Sequence, residues 1–193
     1  TQFIQTALEA GLGGCEFLMG IPGNIGGSLA MNAGSHGESL DRLVDSLSII
    51  DLDGNFKKLK KNEVPFAYRS SGLKDVIIVE GVFRLPTRER SLTQEKLDSY
   101  RDYRLKTQDL QHPSAGCMFK NPEDNAASSG RLIEEAGLKG RRIGGAQVSL
   151  KHANFIINLG SATSRDIERL IREVKETVKQ KFSIELDTEV RIL

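Results

Sequence analysis

The sequence predicts an α+β protein built in two parts, and three observations predict it. A glycine-dense segment, Gly20-Ile21-Pro22-Gly23-Asn24-Ile25-Gly26-Gly27 followed by Met31-Asn32-Ala33-Gly34, lies among short strand-like runs. A highly charged stretch over residues 86–108 divides these from the C-terminal part of the chain. That second part opens on another polar, glycine-bearing segment, Pro113-Ser114-Ala115-Gly116-Cys117-Met118-Phe119-Lys120-Asn121-Pro122, and closes with an amphipathic helix and an alternating tail.

Taken in order, residues 2–10 put Phe3, Ile4, Ala7 and Leu8 on one helical face, and Gly11 reads as the stop. The glycine-rich segment 11–37 comes next as a loop. Ser46 to Ile50 reads as a strand, Asp51-Leu52-Asp53-Gly54-Asn55 as a turn and Phe56 to Leu59 as the return strand. Val76 to Phe83 (VIIVEGVF) reads as a buried strand, and an α+β domain ends near residue 85. The charged stretch predicts a linking helix anchored by Leu92, Leu97 and Tyr100. Beyond Pro113, Gly130 to Ala136 predicts a short helix closed by Gly137, and Ala146–Leu150 and Asn154–Ile157 predict strands. Thr163 caps a helix, with Asp166 three residues on. Ile167, Leu170, Ile171, Val174 and Val178 line its buried face to about Lys181, and a last strand runs from Ile184 to Ile192.

Composition narrows the classes. A chain of 193 residues with 38% apolar content suits one domain or two small ones with real cores. A net charge of +1 argues against a nucleic-acid partner. Lys139, Arg141, Arg142 and Lys151 still form a local basic cluster, either a solvated surface or a face toward an anionic ligand. Two cysteines exclude a disulfide scaffold, and His36, His112 and His152 stand too far apart for a metal cluster. No apolar run is long enough to span a membrane and no signal peptide opens the chain, so the expectation is a soluble cytoplasmic protein. The chain begins with Thr1 rather than Met and a helical pattern starts at once, which predicts sequence upstream.

Several residues can do chemistry. The Gly20–Gly27 run frees backbone N–H groups to approach phosphate oxygens, although it is neither a GxGxxG fingerprint nor a Walker loop. Cys117 is either a small residue in a turn or a reactive thiol, with Lys120 near enough in sequence to favour a thiolate. Lys120 and Asn121 suit an acidic or amide-bearing ligand, and Pro122 restricts the backbone of Asn121. Tyr68-Arg69-Ser70-Ser71 is either a polar loop or a carboxylate grip, with Arg69 supplying paired donors and Tyr68 an aromatic wall. Alternation in the tail puts Glu189 with Asp187 and Arg191 on one face, opposite Leu186 and Val190. A carboxylate beside a developing negative charge needs a proton or strong screening; otherwise Glu189 faces solvent. Gln147 comes after a glycine pair and suits a ligand contact or a backbone bond equally. His152 reads as structural.

Together these segments resemble the UDP-N-acetylenolpyruvoylglucosamine reductase (MurB) family. The matching runs are Gly20–Gly27 with Met31–Gly34, Tyr68-Arg69-Ser70-Ser71, Pro113–Pro122, Glu135-Ala136-Gly137-Leu138-Lys139-Gly140, Gly144–Asn158 and Glu189-Val190-Arg191, in the family's order. The short spacing from Asn121 to Gln147 is similar to the shorter family class. The resemblance covers nearly the whole chain and about two thirds of a usual member. It implies a vanillyl-alcohol-oxidase-type FAD-binding domain, with its upstream part missing here, plus a small α/β substrate domain. On that basis residues 1–108 are partial FAD domain and linker, 109–183 the substrate domain and 184–193 a segment returning to the active site.

The resemblance also implies a two-step reaction. NADPH reduces FAD, and the flavin then reduces the outer carbon of UDP-N-acetylglucosamine enolpyruvate, giving UDP-N-acetylmuramate for peptidoglycan. Charge develops toward the substrate carboxylate and the neighbouring carbon takes a proton. Carried over by position, Arg69 stabilises the carboxylate, Cys117 stands where the family's proton donor is usually serine, and Glu189 assists the intermediate. Tyr68, Lys106, Asn121 and Gln147 fall at substrate contacts. Gly20, Ile21, Pro22, Gly23, Asn24, Ile25, Gly26, Gly27, Asn32 and Gly34 fall at the FAD loop. No metal is implied. Asp109 replaces a common proline, and Asp187 stands where glutamate is common. A non-catalytic nucleotide-sugar-binding fragment and a generic phosphate binder are the competing classes. The last leaves Arg69, Cys117 and Glu189 unexplained.

Overall fold

Helix α1 (Gln2–Glu9) forms where the apolar residues share a face, and it buries Ile4, Ala7 and Leu8. The computed structural model describes residues 2–122 and 127–192, in two units, Thr1–Arg104 and Leu105–Leu193. In the first unit α1 stops at Gly11, whose φ of +69° lets Leu12 N–H donate to Ala7 O at 2.9 Å. That bond closes the last helical turn, as glycine in the left-handed region commonly does.

A one-turn helix, Glu16–Leu18, comes next. The Glu16 carboxylate is fully buried, accepts from Gly14 N–H at 2.9 and 3.0 Å and pairs with Arg88 at 3.1 Å. A charge removed from water requires that combination of hydrogen bonds and counter-ion. Cys15 beside it is buried as well. Burial first, and then the Glu16 charge, push its thiol from 9.0 up to about 11. Between those pH values the folded chain keeps a proton that the unfolded chain loses. The resulting stability is therefore complete below pH 9 and is lost as pH rises toward about 11. Cys15→Ala is expected to remove that part of the alkaline slope. Urea unfolding of both proteins on either side of the window tests this, and a pH-independent gap between them contradicts it.

Where the sequence suggested only a glycine loop, the chain forms α2 (Ile25–Ala30) and a small hairpin of β1 (Gly34–Ser35) and β2 (Glu38–Ser39). The helix starts because Asn24 caps it, its side chain accepting from Gly27 N–H at 2.7 Å. Glycines carry no apolar periodicity, so the helix left little pattern to read. Strands β3 (Val44–Asp51), β4 (Phe56–Lys60) and β5 (Val76–Phe83) then build an antiparallel sheet in the order β4-β3-β5. Asp51 makes the first turn by accepting from Asp53 and Asn55 N–H at 3.1 and 2.9 Å, with Gly54 at φ +83°.

β5 corrects one expectation. It is an edge strand with one face on the core, not a buried one, and Ile77 is 65% exposed. A continuous apolar run suits two covered faces, but within this unit only the face carrying Val76, Ile78 and Phe83 packs on the core. Helix α3 (Arg90–Thr107) buries Thr93 and Leu97 and packs Tyr100 partly on the core, whereas Leu92 is exposed. Leu92 is thus not an anchor. No helix among the described residues is long and apolar enough to cross a membrane.

The second unit is a four-stranded antiparallel sheet with two helices. Its elements are β6 (Ser114–Cys117), α4 (Ser129–Glu135), β7 (Arg142–Ile143), β8 (Ala146–Val148), β9 (Phe155–Asn158) and α5 (Ser164–Phe182), with strand order β6-β9-β8-β7. α4 begins at the Ser128 cap and ends before Gly137, at φ +79°. α5 starts at a reciprocal capping box: Asp166 N–H donates to Thr163 Oγ1 at 3.2 Å and Thr163 N–H to Asp166 Oδ2 at 3.0 Å. Its apolar stripe buries Leu170, Ile171, Val174 and Val178. Each such side chain contributes about 1.5–3 kcal/mol when fully buried.

The expected last strand, Ile184 to Ile192, is also corrected. Leu186 is fully buried, but the segment forms a single bridge, Phe119 with Thr188, and no regular strand among the described residues. Alternation is present in the sequence; the partner it meets is only a few residues long.

Candidate active site

In the first unit the glycine segment lies at the surface, with Pro22, Gly23, Asn24 and Ile25 exposed. Gly23 has φ +114° and nothing within 4 Å of the place a Cβ would take. At Gly26 the nearest atoms to that place are Asn24 Oδ1 at 3.5 Å and Ile78 O at 3.9 Å. A flat or anionic group can thus approach this backbone. Ile25 and Gly26 begin α2, where an α-helix supplies no intrahelical acceptor for the amides. The loop is fixed from behind by Arg104, which donates from Nη1 to Gly20 O at 2.8 Å. Gly20 has φ +73°, and a Cβ there would meet Arg104 Cδ at 2.8 Å.

Asn32 and Gly34 sit differently. Both are buried, and a Cβ on Gly34 would fall 2.2 Å from Glu38 O, so the hairpin requires glycine. The Asn32 amide is engaged inside the unit, donating from Nδ2 to Ala67 O at 3.0 Å and accepting from Asp41 N–H at 2.9 Å. Its carbonyl acceptor is the first residue of a tight turn. Ala67 and Ser70 exchange backbone bonds of 2.9 and 3.1 Å, with Tyr68 and Arg69 at the corners. Arg69 has φ +54°, and its guanidinium carbon lies 4.9 Å from the centre of the Tyr68 ring.

In the second unit two distant segments meet. Lys120 N–H donates to Asp187 O at 2.8 Å and Glu189 N–H to Met118 O at 2.9 Å. Met118 is the residue directly after Cys117, so the pairing brings Cys117 and Glu189 to adjoining rungs although they are far apart in the chain. Both residues are half-buried. Asn121 Oδ1 accepts from Ser129 N–H at 3.0 Å, and Ser129 Oγ donates to Lys120 O. The Cys117–Asn121 segment is therefore tied to the start of α4. Gln147, on β8, donates from Nε2 to Gly140 O at 3.1 Å, a backbone bond of the kind its position allowed. Lys106 is exposed in the last turn of α3.

The basic cluster separates into individual contacts. Lys139 pairs with Glu134 at 2.7 Å and Arg141 with Glu173 at 2.5 Å, while Arg142 donates to Gly144 O at 2.7 Å and Lys151 to Leu105 O at 3.3 Å. Sequence reasoning gave no role to Asn154, which is buried. Its side chain accepts from Phe119 N–H at 2.9 Å and donates to Phe119 O at 2.8 Å, and its carbonyl accepts from Met118 N–H at 2.8 Å. One asparagine thus fixes the backbone just beyond Cys117. The only signal was a polar residue between the apolar positions Ala153 and Phe155. Asn154→Ala is expected to destabilise the fold by about 1–3 kcal/mol for each Phe119 group left unpaired. A shift in the urea midpoint measures it, and no shift contradicts it.

The architecture has a close counterpart among solved structures. The UDP-N-acetylenolpyruvylglucosamine reductase of Thermus caldophilus superimposes with a TM-score of 0.85 at 35% identity, over 98% of this chain and 68% of that one. The two α+β units of this chain therefore have the fold of that reductase. Residues 108–193 match the model of the UDP-N-acetylenolpyruvoylglucosamine reductase C-terminal domain. A reductase of that name from Listeria monocytogenes is 45% identical over 189 residues, 97% of this chain and 63% of its own length. A second, from Symbiobacterium thermophilum, is 46% identical over 96% of this chain and 60% of its own length. The chain belongs to the UDP-N-acetylenolpyruvoylglucosamine reductase family. It spans less than two thirds of the length of these curated relatives.

Proposed function

We propose that the protein is a flavin-dependent reductase that uses NADPH to convert UDP-N-acetylglucosamine enolpyruvate into UDP-N-acetylmuramate. The observation that carries this is the pairing of Met118–Lys120 with Asp187–Glu189, which brings the backbones of the Cys117 and Glu189 segments together. Residues 1–108 serve the flavin, 109–183 the sugar nucleotide, and 184–193 return to the site, with residues 1, 123–126 and 193 outside the described residues.

The glycine loop fits FAD. Gly23 and Gly26 leave room for close approach, and Arg104 and Asn24 hold the loop's shape from behind and within. Gly20 to Gly27 are the contacts, and Gly34 supports the fold behind them from the interior. When bound, FAD supplies the two-electron chemistry, accepting electrons from NADPH and returning them to the enolpyruvyl double bond.

This chain's own residues manage charge and protons. Arg69 holds the substrate carboxylate, where negative charge grows as the double bond is reduced. Its guanidinium offers two parallel donors to that carboxylate, and Tyr68 forms the adjacent wall. Cys117 Sγ gives its proton to the carbon that carries the ether oxygen and is reprotonated from solvent. A thiol is several pH units more acidic than an aliphatic hydroxyl and suits that transfer. Glu189 helps hold the developing charge, which requires its carboxyl to carry a proton or be screened. Lys106, Asn121 and Gln147 orient the sugar nucleotide. We assign the reaction to the cytoplasm, which suits cysteines, Cys15 and Cys117, that form no disulfide.

The test is steady-state NADPH consumption by the purified, FAD-supplied protein. Consumption should depend on the enolpyruvyl sugar and yield one UDP-N-acetylmuramate per NADPH. Binding of the sugar nucleotide with no NADPH-dependent turnover would contradict the proposal.

A further inference from the structure

We propose that Asn32 is a positioning residue for Arg69: it holds the turn that presents the arginine rather than contacting the cofactor. The proposal rests on the reductase function given above. Asn32 is 4% exposed, and its backbone N–H closes the end of α2 by donating to Leu29 O at 3.1 Å. Its side chain then joins two other elements. Nδ2 donates to Ala67 O at 3.0 Å, at the entry to the Tyr68–Arg69 turn. Oδ1 accepts from Asp41 N–H at 2.9 Å, in the one-turn helix Leu40–Arg42. The partners fix the amide's orientation, because a carbonyl can only accept and an N–H only donate.

A second bond runs parallel, from Ser71 N–H to Ala30 O at 2.9 Å, the last residue of α2. The turn is therefore tied at both ends to the C-terminal end of the helix whose N-terminal end is the glycine loop. Such ties matter because Arg69 has φ +54°, a region that non-glycine residues leave readily unless the surroundings hold them there.

The residue type is set by the geometry. Asn32 itself has φ +42°, which asparagine tolerates better than most residues. Only a short side chain with a donor and an acceptor at one end satisfies both partners. Aspartate keeps the conformation and the acceptor but loses the donor to Ala67. Asn32→Asp therefore removes the Arg69 tie and spares the Asp41 bond.

The experiment uses the full-length, flavin-loaded protein. In Asn32→Asp, the rate at which the enolpyruvyl sugar reoxidises reduced flavin is expected to fall roughly 100-fold, the scale of a displacement near 1 Å. FAD affinity and the rate of reduction by NADPH should stay within about threefold, because neither uses Arg69. Combined with Arg69→Ala, the substitution should add nothing to the loss from Arg69→Ala alone. In the flavin-free protein, amide hydrogen exchange over residues 67–71 should quicken. If Asn32→Asp does not fold, Asn32→Gly takes its place, since glycine accepts the same φ and removes both side-chain bonds. Full additivity with Arg69→Ala, or a loss of FAD affinity with an intact sugar step, would overturn the role of Asn32. A wild-type protein whose reduced flavin the sugar does not reoxidise would overturn the reductase function instead.

Discussion

Replacing Cys117 by alanine is expected to slow reoxidation of reduced flavin by the enolpyruvyl sugar by about 10²–10⁴-fold, the range for loss of a positioned acid. Reduction of the flavin by NADPH should proceed at nearly the wild-type rate. The split arises from where the proton is needed. Electron transfer from NADPH requires no protein acid at the substrate carbon, whereas the second step leaves a carbanion-like centre that must be protonated. Alanine keeps β6 and the Asn154 clamp on Phe119, so the site's framework survives. Cys117→Ser tests the chemistry separately, because it restores a weaker acid in the same place and should recover part of the rate. Stopped-flow absorbance of the flavin resolves both steps. If both keep wild-type rates in Cys117→Ala, the thiol is not the donor.

The second large effect is expected from Glu189→Gln. Removing one group that stabilises developing charge costs about 10²–10³ in rate. The loss should again fall on the sugar step alone. Glutamine keeps the volume and the backbone bond from Glu189 N–H to Met118 O, so folding is preserved. A shift in sugar affinity with an unchanged reoxidation rate would reduce Glu189 to a binding group.

Much of the fold was readable because certain segments state their structure locally. Thr163 and Asp166 announce the start of α5, and Leu170, Ile171, Val174 and Val178 announce its buried face. Gly11 marks the end of α1 through a conformation that few other residues accept. The failures share a cause, which is dependence on a partner. β5 carries an apolar run whichever face is covered, and α2 is hidden because its sequence, IGGSLA, has little periodicity. The tail alternates like a strand yet bridges only at Thr188 among the described residues.

The candidate site divides in the same way. Arg69, Cys117 and Glu189 are proposed from segments in a recognisable order, not from geometry. The structural roles of Asn32 and Asn154 stay hidden in the sequence, because side-chain bonds to distant backbone leave no periodic trace. The sequence neighbours of Asn32 point to the cofactor, while its amide reaches Ala67, which lies 35 positions later. The departure from serine at Cys117 could be read directly, whereas the backbone bond from Glu189 N–H to Met118 O, which draws the tail to that segment, could not.

The central claim is that one protein takes electrons from NADPH and passes them, with a proton, to an enolpyruvyl sugar. The most direct measurement is the flavin absorbance spectrum of the purified protein with FAD, then with NADPH and then with UDP-N-acetylglucosamine enolpyruvate under anaerobic conditions. A bound-flavin band that NADPH bleaches and the sugar restores, with UDP-N-acetylmuramate formed in equal amount, is the predicted result. A flavin that binds and bleaches but is not restored by the sugar would contradict the account.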